Sequence, residues 1–235
     1  MFASASCLRS PGPDSRPFPI AVLASGRGSN LAALIDAQQA GNLPVEFALV
    51  ASDKANAPAL RRAEIHGIPT LALDPKSFVL RRAFDQALFA NVAASGAQLV
   101  VLAGYMRIID AAVTEQWPGR MINIHPSLLP KYRGLHTHRR ALEAGDTEHG
   151  VSVHFVSAEL DGGPVIAQTR IDVRAGDTEE SLAARLLDHE HELLVACVDA
   201  IARGTVSEHD GRVLFNGTPI CAPLRLDASR QLVVA

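Results

Sequence analysis

The stretch Ile20-Ala21-Val22-Leu23-Ala24-Ser25-Gly26-Arg27-Gly28-Ser29-Asn30 decides how the chain folds. Its first five residues are apolar without a break, the pattern of a strand covered on both faces, as in a parallel sheet. The next six carry two glycines and lead into a helical stretch over 31–40, closed by Gly41. Strand, glycine turn and helix together open a βαβ unit. Outward from it the unit repeats: a strand over 45–51, a helix over 57–66 ended by Gly67, a short strand over 69–73, a helix over 78–94, and a second fully apolar strand, Leu99 to Ala103. Such alternation predicts a doubly wound, mostly parallel twisted α/β sheet with right-handed crossovers, Rossmann-like in its winding.

The second half changes pattern. Strands are expected over 151–156 and 165–173, joined by Asp161-Gly162-Gly163-Pro164, and so short a link implies an antiparallel portion. Asp177 to Glu180 resembles a capping box opening a long helix to about Ala202, and Asn216-Gly217 after Arg212 to Phe215 predicts a terminal hairpin. No repeat or linker divides the chain. The expectation is a leader over 1–19, rich in Ser and Pro, and a single domain over 20–235.

Composition narrows the classes of function. With 48% hydrophobic residues among 235, a buried core is easily supplied. A net charge of -3 lacks the clustered basic surface of a nucleic-acid binder. Nothing approaches the roughly 18 apolar residues of a membrane span. Cys7, Cys197 and Cys221 have neither paired nor metal-ligand spacing, which suits a reducing, cytoplasmic setting. No metal, nucleic-acid or membrane partner is expected.

In doubly wound sheets ligands sit beyond the carboxyl ends of the strands, and there the unusual residues fall. The turn through Gly28, Ser29 and Asn30 offers backbone N–H groups and a helix N-terminus to a phosphate. Leu31 stands where a dinucleotide fingerprint has its third small residue, although Asp53 at the end of the second strand keeps a nicotinamide-dependent dehydrogenase open. In Asn123-Ile124-His125-Pro126 two residues of one strand face project together, an amide donor beside an imidazole, as oxyanion stabilisation and proton transfer require. By themselves such residues are more often a hydrogen-bonded structural pair. Ser127 has no nucleophile elbow, His136 and His138 lack a third metal ligand, and His189 and His191 read as surface residues.

The segment from Asn123 through Ser127-Leu128-Leu129-Pro130-Lys131-Tyr132 to Gly134-Leu135-His136-Thr137-His138 carries a resemblance. So do Glu159-Leu160-Asp161-Gly162-Gly163-Pro164, Leu102-Ala103-Gly104-Tyr105-Met106-Arg107-Ile108 and the glycine turn. Together they resemble the phosphoribosylglycinamide formyltransferases, folate-dependent enzymes of purine synthesis, in order and from about Ile20 to Glu190. The resemblance implies Asn123, His125 and Asp161 as the catalytic set, with the Asp161 carboxylate raising the His125 pKa so that an imidazolium polarises the formyl oxygen. It implies Gly28, Ser29 and Asn30 at the phosphate of glycinamide ribonucleotide and Glu190 near its ribose. Arg81, Met106, Arg107, Ile108, Ile109 and Asn123 would meet the folate, the formyl donor being 10-formyltetrahydrofolate.

The amine would attack the formyl carbon directly, with no covalent enzyme intermediate, in a protein acting as a monomer or weak homodimer. Arg133, where bacterial members have proline, is shared with methionyl-tRNA formyltransferases, which however need a further C-terminal domain and a basic face. Formyltetrahydrofolate deformylase, a hydrolase with a related Asn, His and Asp set, carries a regulatory domain in front, whereas here only the short leader precedes the first strand.

Overall fold

The computed structural model describes residues 16–234. Most of the expected leader, with Cys7, lies outside the described residues. The first strand, β1 (Phe18–Leu23), begins two residues before the expected start at Ile20, so the last residues assigned to the leader belong to the sheet; Phe18 N donates to Pro44 O at 2.9 Å.

After β1 come α1 (Ser29–Gln39), β2 (Val45–Ser52), α2 (Pro58–Ile65), β3 (Thr70–Ala72), α3 (Arg81–Ala94) and β4 (Leu99–Leu102). The second half adds α4 (Ala111–Thr114), β5 (Met121–His125), α5 (Thr137–Glu143), β6 (Glu148–Phe155), β7 (Val165–Asp172) and α6 (Glu179–Ala202). The seven strands form one sheet in the order β3-β2-β1-β4-β5-β6-β7. Pairs from β3 to β5 are parallel, and β6 runs antiparallel to both β5 and β7. The expected fold class is therefore the observed one. The winding reverses between β1 and β4, and a crevice opens at such a switch point.

Burial on both faces of β1 explains its unbroken apolar run. Ile20 and Val22 join an apolar cluster with Leu31 and Leu34 of α1, Ala59 and Leu60 of α2, and Leu186 and Leu193 of α6. Ala21 and Leu23 point the other way, into a cluster with Phe84, Leu88 and Val92 of α3. Alternate residues thus bind the two helical layers.

The start of α6 departs from the reading in register. Its capping box pairs Thr178 with Ser181, one residue later than expected, and Asp177 instead accepts from the Ser181 hydroxyl at 2.9 Å. At the C-terminus β8 (Val206–His209), β9 (Arg212–Phe215) and β10 (Thr218–Pro219) form a small antiparallel sheet, followed by the pair β11 (Arg225–Leu226) and β12 (Leu232–Val233). Asn216 and Gly217 both have positive φ, 51° and 77°, as a two-residue hairpin with the right twist demands. Asp210-Gly211, at 50° and 73°, makes the same kind of turn one hairpin earlier. That Asp-Gly signal stands in the sequence and the pattern reading passed over it. Val206, Val213, Leu224 and Leu232 join the cluster that holds Ile20.

Candidate active site

Strand register assembles the centre of the site. Asn123 of β5 lies opposite Leu102 of β4 on one side and His154 of β6 on the other, while His125 lies opposite Ser152. The Asn123 Nδ2 approaches His154 Nε2 at 3.2 Å. Because His154 Nδ1 faces the acceptor Phe155 O at 2.8 Å, it carries the ring proton, and Nε2 accepts from the amide. The chain after β6 then turns back sharply. A Cβ on Gly163 would lie 1.9 Å from Phe155 O, so only glycine permits the return, and Asp161 just before it has φ 47°. This brings Asp161 to the centre: Oδ1 accepts from Asn123 Nδ2 at 3.4 Å, and Oδ2 accepts Gly134 N–H at 2.8 Å and lies 3.5 Å from His125 Nδ1.

The other nitrogen of His125, Nε2, is 2.9 Å from Tyr132 O. A carbonyl only accepts, so Nε2 holds the proton and Nδ1 is the nitrogen free to gain one. The residue is 6% exposed. Here the structure corrects an expectation: the pKa of His125 is lowered, not raised, because burial outweighs the Tyr132 carbonyl and the Asp161 carboxylate that favour the charged ring. Burial also acts to raise Asp161, but the polar groups around the carboxylate, the Gly134 N–H among them, hold it below the usual carboxylate range. At neutral pH the site therefore pairs a carboxylate with a neutral imidazole.

At the end of β1 the turn is made by main chain. Gly28 has φ 71°, and a Cβ there would sit 2.8 Å from Ala59 Cβ, so glycine is required by conformation and by helix packing alike. Asn30, on the first turn of α1, is buried and donates to Glu190 Oε2 at 3.4 Å, while its Oδ1 is buried without a partner. Glu190, pushed up to about 7 by burial against the opposing Asn30 bond, thus reaches the turn from α6. Ser25 ties this turn to the segment after β4: its N donates to Gly104 O at 3.0 Å and its Oγ accepts Met106 N at 2.9 Å.

Beside Asn123 a cleft of about 90 Å³ is lined by Tyr105, Arg107, Ile108, Ile109, His154 and Asp161 among others. Two expected neighbours are not on it. Met106 is 64% exposed and engages through its backbone, and Arg81 is exposed at the first turn of α3. The guanidinium of Arg107 lies 4.9 Å over the Phe84 ring. Sequence reasoning missed Asp85 of α3, which is fully buried and accepts Asp110 N–H at 2.9 Å, pinning the far end of the cleft-lining segment. Also missed were His154, which only strand register places, and the backbone of Tyr132 and Gly134, which leaves no side-chain signal.

A larger hollow of about 870 Å³ lies among α1, α6 and the C-terminal strands, away from the Asn123–His125–Asp161 cluster. Chemistry rather than size therefore locates the site. His138 is engaged with buried His149 at 3.0 Å, and His136 is exposed. Among the described residues no group of three or more His, Cys, Asp or Glu side chains is arranged to hold a metal, and no helix is long and apolar enough to cross a membrane.

Comparison with known proteins adds a second, independent line. Residues 19–198 match the formyl transferase family model. The phosphoribosylglycinamide formyltransferase of Escherichia coli (strain K12) is 46% identical over 198 residues, 84% of this chain and 93% of that protein. The structure of the Coxiella burnetii phosphoribosylglycinamide formyltransferase, in complex with CHES, superposes with a TM-score of 0.84 at 44% identity, covering 87% of this chain and 96% of that one. A formyltetrahydrofolate deformylase from Pseudomonas syringae shares the fold more distantly, with a TM-score of 0.77 at 28% identity over 86% of this chain and 66% of that one.

Proposed function

The chain belongs to the formyl transferase family, and from that premise we propose that the cluster at the end of β5 moves a formyl group from 10-formyltetrahydrofolate to the amine of phosphoribosylglycinamide. The activity is that of de novo purine biosynthesis. Both the turn and Asp53 fall inside the matched residues 19–198, so the glycine turn belongs to a formyl transferase and not to a dehydrogenase.

One observation carries the mechanism: Asp161 stands 3.5 Å from His125 Nδ1 and 3.4 Å from Asn123 Nδ2, on the wall of the cleft. The donor's pterin end occupies the cleft beside Tyr105 to Ile109, and its formyl oxygen takes over the Asn123 amide hydrogen now shared weakly with Asp161. The acceptor's phosphate binds the turn at Gly28, Ser29 and Asn30, with Glu190 at the ribose. The amine attacks the formyl carbon, and negative charge gathers on the oxygen.

Neutral His125 takes the amine's proton at Nδ1. The resulting imidazolium is stabilised by Asp161 and, with Asn123, offsets the oxyanion. When the bond to the folate nitrogen breaks, that nitrogen receives the proton. A pKa lowered by burial suits this order of events, since the ring must accept before it donates. No group on the enzyme is acylated.

The second reading, hydrolysis, is favoured by the fold shared with the deformylase. Water as acceptor has no phosphate and gives the buried Asn30–Glu190 pair no task. Incubation with 10-formyltetrahydrofolate, with and without glycinamide ribonucleotide, separates the two. Release of tetrahydrofolate is expected only with the acceptor; equal release in its absence overturns the transferase reading.

A further inference from the structure

We infer that Tyr132 and Asp146 form a lock that decides which nitrogen of His125 carries the proton, with Asp146 a positioning residue that acts through Tyr132. The inference rests on the proposed role of His125. A carboxylate 3.5 Å from Nδ1 draws the single proton of a neutral ring toward that nitrogen. Asp161 therefore biases His125 toward the tautomer that is useless as a base at Nδ1. What opposes it is the Tyr132 carbonyl, 2.9 Å from Nε2. The reactive state of the ring thus depends on the position of one main-chain oxygen.

That oxygen is presented from a backbone conformation that needs holding. Tyr132 has φ 56°, in the left-handed region that bulky residues rarely adopt. Its hydroxyl donates to Asp146 Oδ2 at 2.8 Å, and the neighbouring Lys131 Nζ reaches both Asp146 oxygens at 3.0 Å. Fully buried Ser127 donates to Lys131 O at 2.6 Å. The Arg140 guanidinium lies 5.2 Å over the Tyr132 ring and donates to Arg133 O at 2.6 Å. Asp146, the hub of the side-chain contacts, is itself tied to α5 by its N–H to Ala141 O at 3.1 Å. Loss of this hub frees the Tyr132 peptide to rotate, and the ring proton then follows Asp161.

The test uses the full chain with ¹⁵N-labelled histidine, comparing wild type with Tyr132→Phe, Asp146→Ala and the double variant. In wild type His125 should show the Nε2–H tautomer. Each single variant should move it toward Nδ1–H and lower kcat about tenfold, the effect of one hydrogen bond of ordinary strength. KM for both substrates should stay within about twofold, because binding does not use the tautomer. The double variant should be no worse than either single one, since both cut the same chain of contacts.

An unchanged tautomer in the variants overturns the lock, as do losses that multiply or a kcat that survives a changed tautomer. If Asp146→Ala does not fold, Tyr132→Phe, which removes a single oxygen, decides alone. The spectrum reads the lock without any turnover, so failure of the proposed activity and failure of the lock are separate results.

Discussion

The carboxyl ends of β1 and β5 lie on either side of β4 and are held in different ways. At β1 the turn itself is backbone, with the Asn30 and Glu190 side chains beside it. Gly28 turns left-handed, α1 starts at Ser29, and contact with Ala59 fixes the turn from below. At β5 the site is a ring of buried and half-buried polar side chains, His125, Asn123, His154 and Asp161, each oriented by another of them or by a carbonyl. A backbone cradle has few ways to change charge and suits the binding of a constant anion. A ring of titratable groups is tunable and suits proton transfer. Damage at β1 should therefore appear in stability and acceptor affinity, and damage at β5 in rate.

A large effect is expected for Asp161→Asn, which keeps shape but removes the charge proposed to stabilise imidazolium. Steady-state kcat should fall by roughly two to three orders of magnitude with KM little changed; a loss within a few-fold means Asp161 only shapes the loop. Next comes Gly28→Ala, which meets both the 71° φ and the 2.8 Å approach to Ala59. Together these should cost about 2–4 kcal/mol in denaturant unfolding. The same change made with Ala59→Gly should recover only the part due to the Ala59 Cβ, since the Ala59 Cα stays 2.9 Å from the added carbon, and wild-type stability of the single variant would show that the turn is not so constrained.

Glu190→Gln probes the β1 end again, because Glu190 reaches the turn from α6. Its value in the folded protein, about 7, lies above the ordinary 4.5. The folded state thus retains this proton more tightly than the unfolded one, and stability is full below pH 4.5 and lost as pH rises to about 7. Glutamine should remove that loss, up to about 3 kcal/mol, in unfolding measured at about pH 5 and pH 8. It should also flatten the gain in acceptor affinity that the proposed ribose contact predicts for wild type as Glu190 ionises. Identical pH profiles for the two proteins would contradict the buried carboxyl.

Buried His149, pushed down to about 4 by burial and by His138, has the opposite sign: its contribution is lost as pH falls from 6.5 toward 4. The smallest effect belongs to Arg133→Ala, which breaks an exposed ion pair with Glu159. Unfolding should shift by less than about 1 kcal/mol, and kcat should stay within about threefold; a larger loss would make this pair part of the catalytic loop's support.

Much of this was written plainly in the chain. The apolar run at Ile20 to Leu23 marked a doubly covered strand, and the alternation after it gave the winding of the sheet. Asn123 and His125 could be placed on one strand face because strand periodicity is local. Asp161 came with them only through family resemblance, since it lies 36 positions along the chain from His125. The rest depended on three-dimensional facts. His154 faces Asn123 because of antiparallel register, which no local pattern reports.

The lowered pKa of His125 follows from depth of burial, and sequence showed the carboxylate without showing the depth. Met106 and its neighbours Arg107 to Ile109 look alike as a segment, but only the loop geometry after Gly104 decides which of them face the cleft.

The central claim is that a buried, neutral His125 takes and returns the migrating proton at Nδ1. Single-turnover transfer by His125→Ala, with both substrates saturating and their affinities measured by calorimetry, tests it most directly. The account predicts unchanged affinities and a rate lower by roughly two to four orders of magnitude. Transfer within a few-fold of wild type would contradict it.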